Sequence, residues 1–121
     1  MQMRIYGQVA LKAWDIAAKR RLSPPDAWQT ALEECKAAAK SCPKSAFLGL
    51  CEEGLLRSID AGHYTRSRRS RAFALAAVER LRGNPSLAAK KADLEADVYG
   101  DRAPNGEVDV VLALWQRGMI E

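Results

Sequence analysis

The sequence predicts an all-α domain of about six helices. Its 121 residues, with 48% hydrophobic and 28% charged side chains, are enough to enclose one core and too apolar for a disordered chain. Apolar residues recur almost everywhere at the three- and four-residue spacing of an amphipathic helix. The one strand-like stretch, residues 108–111, runs into further apolar residues without a turn signal. We therefore expect a single helical domain over residues 1–121.

Capping and turn residues place the first three helices. The first helix is predicted from Tyr6 to Ala17, where small and apolar residues repeat at helical spacing. Ser23 precedes two prolines and an aspartate, which is typical of a helix start, here that of the second helix. Ser41 opens a third helix, and Gly54 is expected to end it in the left-handed conformation. The side chains that we expect the second helix to bury are Trp28, Ala31, Leu32, Cys35 and either Ala38 or Ala39.

Three further helices are expected after a loop at residues 60–63. The fourth opens in residues 65–71 and stops at Gly83, where Asn84 and Pro85 follow. We expect its inward side chains to be Ser70, Phe73, Ala74, Ala77, Val78 and Leu81. The fifth helix is expected over residues 87–98, and the sixth, after a loop at 101–106, over residues 108–117 with Gly118 closing it.

Two segments of the chain repeat at a spacing of 64 residues. Residues 46–56 align with residues 110–120, and the same offset aligns residues 9–11 with residues 73–75. Three aligned pairs are identical: Leu48 and Leu112, Leu50 and Leu114, Gly54 and Gly118. Because a shared offset in two separate segments is harder to obtain by chance than one match, we predict two similar three-helix halves. The predicted halves are residues 6–57 and 70–121.

Positive charge is concentrated in one short segment. Residues 64–82 hold six arginines and one glutamate, a net charge of +5, whereas the whole chain carries +4. Cations at the N-terminal end of a helix oppose its dipole, and a bound anion would offset that repulsion. We therefore expect a contact surface for nucleic acid or another phosphate-containing ligand. The residues assigned to it are Arg66, Arg68, Arg69, Arg71 and Tyr64.

Two other interpretations stay open at this point. In one, Glu52 and Glu53 at the end of the third helix pair with Arg66 or Arg69, so that the arginines form a solvated, self-paired face. In the other, the chain is a protein-interaction or self-associating module, for example a homodimer. Such a module would use apolar surface on the sixth helix or at residues 119–120.

No enzyme signature is present, and we expect no metal and no cofactor. Cys35 and Cys51 fall on apolar helix faces and are expected to be small buried hydrophobes. Cys42 stands at a helix start, where amides favour the thiolate, so a nucleophilic role is a minor hypothesis. His63, the single histidine, is expected on a loop surface. The spacing of Cys42, Cys51 and His63 does not suit a structural zinc site.

The sequence also bears on location. The chain has no run of about 20 apolar residues, so we expect no membrane span. Its first residues lack the apolar core of a signal peptide, and we therefore expect a cytoplasmic protein with reduced thiols.

One stretch of the third helix is distinctive. The residues CPKSAFLGLCEEG at positions 42–54, together with residues 62–67 and 110–115, resemble a family of small uncharacterised bacterial proteins. The resemblance covers the chain from about Tyr6 to Ile120. It implies a bacterial, single-domain, cytoplasmic protein without an assigned activity, and it brings no catalytic or binding residues. With the charge pattern, the sequence favours a non-catalytic binding module for an anionic partner.

Overall fold

Among the residues that the structure describes, six α-helices and one short 3-10 helix account for the regular structure. The computed structural model describes residues 5–65 and 67–121. The α-helices are α1 (Ile5–Arg20), α2 (Pro24–Glu34), α3 (Ser41–Glu52), α4 (Arg68–Gly83), α5 (Lys91–Tyr99) and α6 (Glu107–Gln116), and the 3-10 helix Pro85–Ala89 joins α4 to α5. No strand occurs in these described ranges, and the predicted all-α bundle of about six helices is confirmed.

Helix α6 lies at the centre of the bundle. It packs against α1, α3 and α4, and its apolar side chains from Val108 to Leu114 are buried on all sides. A helix that is hydrophobic all round is stable only when neighbours cover every face. The other contacts complete the bundle: α1 packs on α2, α3 on α4, and α4 on α5. Among the helices described, none is both long enough and apolar enough to span a membrane.

The predicted signals at two helix ends are confirmed. Ser23 caps α2, and its hydroxyl accepts a hydrogen bond of 3.4 Å from the N–H of Asp26. After α3, Gly54 adopts a φ of +70°. The N–H groups of Gly54 and Leu55 donate to the carbonyls of Cys51 and Leu50, at 3.0 and 3.1 Å. This pair of hydrogen bonds is the Schellman arrangement, which requires the left-handed conformation that glycine adopts readily.

The predicted length of the second helix is wrong. Lys36 has a φ of +55°, and the N–H groups of Lys36 and Ala37 donate to the carbonyls of Glu33 and Leu32. A Schellman arrangement therefore ends α2 at Glu34, although a lysine and not a glycine occupies its left-handed position. As a consequence Cys35 is half-buried, and the two candidates for burial beyond it, Ala38 and Ala39, are exposed.

The predicted fifth helix differs from the structure, whereas the fourth begins within the predicted range. The fifth helix, expected over residues 87–98, is split in two, because Lys90 leaves the helical conformation with φ −128° and ψ 66°. Helix α4 begins at Arg68, so Thr65 and Ser67 precede it in the loop. Within α4 the expected inward face is confirmed for Ser70, Ala74, Ala77, Val78 and Leu81, whereas Phe73 is half-buried.

An antiparallel bridge joins the segment after α3 to the segment after α6. It joins Leu56 to Ile120. The N–H of Arg57 donates to the carbonyl of Met119, and the N–H of Glu121 donates to the carbonyl of Leu55, both at 2.9 Å. These two hydrogen bonds connect the middle of the chain to its last described residues.

Candidate anion-binding site

The carboxylate of Glu52 organises the loop between α3 and α4. Its Oε1 atom accepts hydrogen bonds from the backbone N–H groups of Tyr64, at 2.8 Å, and Thr65, at 3.3 Å. The carbonyl of the same residue accepts from the N–H of Gly62, at 3.3 Å. One glutamate at the end of α3 therefore holds the loop against the helix through three backbone amides.

These contacts favour the charged form of Glu52. The hydrogen bond from the amide of Tyr64 lowers the pKa of the carboxyl below its ordinary value, with further help from the amide of Thr65 and the charges of Arg71 and His63. Partial burial opposes this effect and does not cancel it. Glu52 is therefore a fixed anion at neutral pH.

Tyr64 is part of the structure of the loop. Its hydroxyl donates to the carbonyl of Asp60 at 3.0 Å. Its ring lies so close to Gly62 that a Cβ on that residue would stand 2.7 Å from the ring atom Cζ. The half-buried ring borders a cavity of about 720 Å³ on the side of Ser23 and Ser58.

The start of α4 lacks a capping side chain. Ser67 occupies the N-cap position, but its hydroxyl makes no capping hydrogen bond, and the first turn contains no acidic residue. The N–H of Ser67 donates to Oγ1 of Thr65 at 3.2 Å. Arg68 and Arg69 follow, and both are exposed. Positive side chains thus surround the positive end of the helix dipole.

Arg71 lies between two carboxylates on α3. Its Nη1 atom is 3.4 Å from Oε2 of Glu52, and its Nη2 atom pairs with Oε1 of Glu53. The guanidinium Nε is buried and has no hydrogen-bond partner among the described residues. Gly49 makes this approach possible, because a Cβ on it would stand 2.8 Å from Cγ of Arg71.

A cleft of about 380 Å³ lies in front of α4. It is lined by Glu52, His63, Thr65, Ser67, Arg68 and Arg71. The cleft therefore brings together an uncapped helix start, two guanidinium groups, two hydroxyl groups, an imidazole and the carboxylate of Glu52, which is paired with Arg71. Such a set can hold an anion, since helix-terminal amides and arginine forks both match phosphate oxygens.

The sequence model of one protein family matches residues 3–121. The chain belongs to DUF6979, a family of unknown function. No curated protein and no solved structure matches the chain significantly.

In this DUF6979 chain the predicted site residues are only partly brought together. Arg68 and Arg71 line the cleft, whereas Arg69 is exposed outside it and Tyr64 borders the larger cavity. Arg66 lies outside the described residues. Of the two arginines considered as partners of Glu52 and Glu53, Arg69 forms no ion pair with them, and Arg66 is outside the described residues. Arg71 is the partner of the two glutamates, since α4 begins at Arg68 and the turn of the helix directs Arg71, and not Arg69, toward α3.

The cysteines and the histidine of the DUF6979 chain are distributed over different environments. Cys51 is buried, as predicted, and burial raises the pKa of its thiol. Cys35 and Cys42 are half-buried, and the nucleophilic role of Cys42 stays a hypothesis. His63 is exposed on the loop, as predicted, and borders the cleft. Within the described ranges, no three His, Cys, Asp or Glu side chains are grouped so that they could hold a metal ion.

Sequence reasoning missed a buried polar cluster behind the site. Glu107, the first residue of α6, accepts hydrogen bonds from the hydroxyls of Ser70, at 3.1 Å, and Tyr99, at 2.8 Å. The hydroxyl of Tyr99 in turn accepts from the N–H of Val108 at 3.2 Å. Burial raises the pKa of Tyr99, so its hydroxyl remains a donor. Ser70 follows Arg69 on α4, and the cluster thereby fixes the start of the arginine-bearing helix to α6.

Proposed function

We propose that this chain is a binding module that holds the phosphate groups of an anionic partner at the cleft in front of α4. The observation that carries the proposal is the position of Arg68 and Arg69. Both are exposed beside a helix start without a cap, and neither has an ion-pair partner among the described residues. The repulsion between these charges and the helix dipole is relieved when an anion binds.

The size and chemistry of the cleft agree with a phosphate group as the part that is recognised. A volume of about 380 Å³ is near the small end of the range of roughly 300–1,000 Å³ for ligand pockets. Arg68 offers a planar fork of donors, and Thr65 and Ser67 add hydroxyl groups at the same cleft. Bidentate contacts between arginine and phosphate are short and charge-assisted, which favours phosphate over neutral ligands.

The proposal is tested by fluorescence anisotropy with labelled mixed-sequence DNA and RNA at two salt concentrations, and by NMR titration with inorganic phosphate. We expect Arg68→Ala to weaken binding about tenfold, the order expected for a hydrogen bond to a charged group. Arg80→Ala is the matched control, since Arg80 is an exposed arginine at the other end of the same helix. If Arg68→Ala and Arg80→Ala weaken binding equally, the anion does not bind at the cleft.

The two arms of the experiment also separate two sources of phosphate. A nucleic acid would bind with an affinity that falls steeply with salt, because each neutralised phosphate releases counterions. If the partner is a small phosphorylated molecule, we expect no binding of DNA or RNA, and binding in the titration with inorganic phosphate alone. Absence of binding in both arms at low salt would refute the proposal.

The alternative of a self-associating module has less support. Its expected surface on α6 is buried, and Met119 and Ile120 are half-buried around the bridge. The exposed large apolar side chains of the described residues are Ile5 and Leu22, which lie elsewhere. A stable dimer in light scattering would revive this alternative.

A further inference from the structure

The two glutamates that contact Arg71 differ in what else they hold. Glu52 has a side chain only 10% exposed, and it also binds the amides of Tyr64 and Thr65. The side chain of Glu53 is 38% exposed, and among the described residues Arg71 is its one polar partner. Glu52 is therefore built into the loop, whereas Glu53 can leave Arg71 without disturbing any other hydrogen bond.

Arg71 itself is positioned to serve a ligand. It borders the cleft together with Arg68, and its side chain is 34% exposed. Its stem packs against Gly49.

We propose that Glu53 is an internal competitor of the ligand: its carboxylate occupies the place on Arg71 that an incoming phosphate takes. This inference rests on the proposed function of the cleft. In the ligand-free state Glu53 neutralises Arg71. On binding, a phosphate oxygen replaces the Glu53 carboxylate on Nη2, while Glu52 keeps the loop in place. An exposed ion pair is weak enough for such an exchange. The charge-assisted hydrogen bonds of a phosphate with two arginines are together stronger than those of one carboxylate with one arginine.

The test is the affinity of the full chain for inorganic phosphate, measured by NMR titration of the backbone amides. Loss of the competing carboxylate in Glu53→Gln is expected to tighten binding about two- to fivefold, the range that corresponds to an exposed ion pair. The matched control is Glu79→Gln, which removes the same charge from an exposed position on α4. It reports the general effect of charge on anion binding.

The outcomes separate the inference from the function on which it rests. Tighter binding by Glu53→Gln than by Glu79→Gln supports internal competition. Equal affinities of the two variants, with the wild type binding phosphate, overturn the competition and leave the binding site intact. If none of the three proteins binds phosphate, the inference is overturned, and the titration with nucleic acid then decides the proposed function. Glu53→Ala gives an independent repeat of the comparison, because its side chain also lacks the carboxylate.

Discussion

Glu107 is a carboxyl group that the fold encloses, with 1% of its surface exposed. Its two oxygens accept hydrogen bonds from Ser70 on α4 and Tyr99 on α5. It is also the first residue of α6, where the helix dipole favours a negative charge. Burial of such a group is tolerated because both oxygens are satisfied. One side chain thereby joins three helices through polar contacts.

Removal of this carboxyl group is expected to destabilise the protein strongly. We expect Glu107→Ala to lower the free energy of unfolding by about 2–4 kcal/mol, because it leaves two hydroxyl groups buried without partners and opens a cavity. We expect Glu107→Gln to lower the free energy of unfolding by less, because its amide can still accept a hydrogen bond from one hydroxyl and donate one to the other. Urea unfolding followed by circular dichroism measures both values. Wild-type stability of Glu107→Ala would contradict this account of the cluster.

Glu52 predicts how the stability of the protein depends on pH. Its pKa in the folded state lies below the ordinary value of 4.5. The stabilisation from its charge is therefore complete above that value and is lost as the pH falls through the lower, folded-state pKa. We expect the difference in unfolding free energy between wild type and Glu52→Gln to be constant near neutral pH and to shrink during acidification below 4.5.

Urea unfolding of both proteins across this pH range measures the effect. Glu79→Gln serves as the reference, because this exposed glutamate makes no contact with the loop. A difference between wild type and Glu52→Gln that is the same at acidic and neutral pH would show that the charge of Glu52 does not hold the loop.

At the scale of the elements, the approach of α4 to α3 depends on one missing side chain. A Cβ on Gly49 would stand 2.8 Å from Cγ and 3.2 Å from Cα of Arg71. Because these atoms belong to the stem and the backbone, they cannot move aside as a flexible tip would. The two helices are therefore in contact at a place where only glycine fits, and the ion pairs of Arg71 lie directly beside that place.

We expect Gly49→Ala to destabilise the protein, because a forced separation of the helices costs about 1–3 kcal/mol. This cost exceeds the gain of about 1 kcal/mol that alanine brings inside a helix. Gly83→Ala is the control, since a Cβ at the end of α4 would meet no atom within 4 Å. Thermal unfolding of both variants measures the difference, and a lower melting temperature for Gly83→Ala than for Gly49→Ala would disprove the steric argument.

The helix ends show which parts of the fold can be read from the sequence. Ser23 and Gly54 were predictable because the residue types themselves favour the cap and the left-handed turn. Lys36 and Lys90 end their helices without any such preference, so tertiary packing and not local propensity decides those boundaries. Helical periodicity consequently identifies each element more reliably than it identifies its last turn.

The candidate site was predictable in part for a similar reason. The density of arginines before and within α4 is a local property, and it pointed to the region where the cleft lies. The pairing of Arg71 with Glu53 depends on the rotation of α4 and on the space above Gly49, which no short-range pattern encodes. Glu107 and Ser70 are 37 residues apart, and only the folded chain shows that they are partners.

At the scale of the whole molecule, the ends of α3 and α6 are built alike. Gly118 and Met119 donate to the carbonyls of Trp115 and Leu114. The same two hydrogen bonds occur 64 residues earlier, after α3. The bridge has the same offset: its two donors, Arg57 and Glu121, are 64 residues apart, and so are its two acceptors, Leu55 and Met119. The predicted halves, residues 6–57 and 70–121, stay a prediction: their last helices end alike, whereas the 3-10 helix and α5 together differ from α2.

The two predicted halves are packed into each other. Helix α1 lies against α6, and α4 lies against α3, so the first helix of each half contacts the last helix of the other. The hydrophobic core is shared between them as one cluster. Neither half buries its own apolar faces alone, because each contributes side chains to the same cluster.

The bridge between Leu56 and Ile120 also has a consequence for motion. The amide protons of Arg57 and Glu121 are each held by a carbonyl of the opposite segment. The indole of Trp14 on α1 donates to the carbonyl of Arg57 at 2.8 Å, so a hydrogen bond also connects α1 to the bridge. Neither amide can exchange with solvent while the segments are joined. Their exchange rates therefore report the opening in which the segments after α3 and α6 separate.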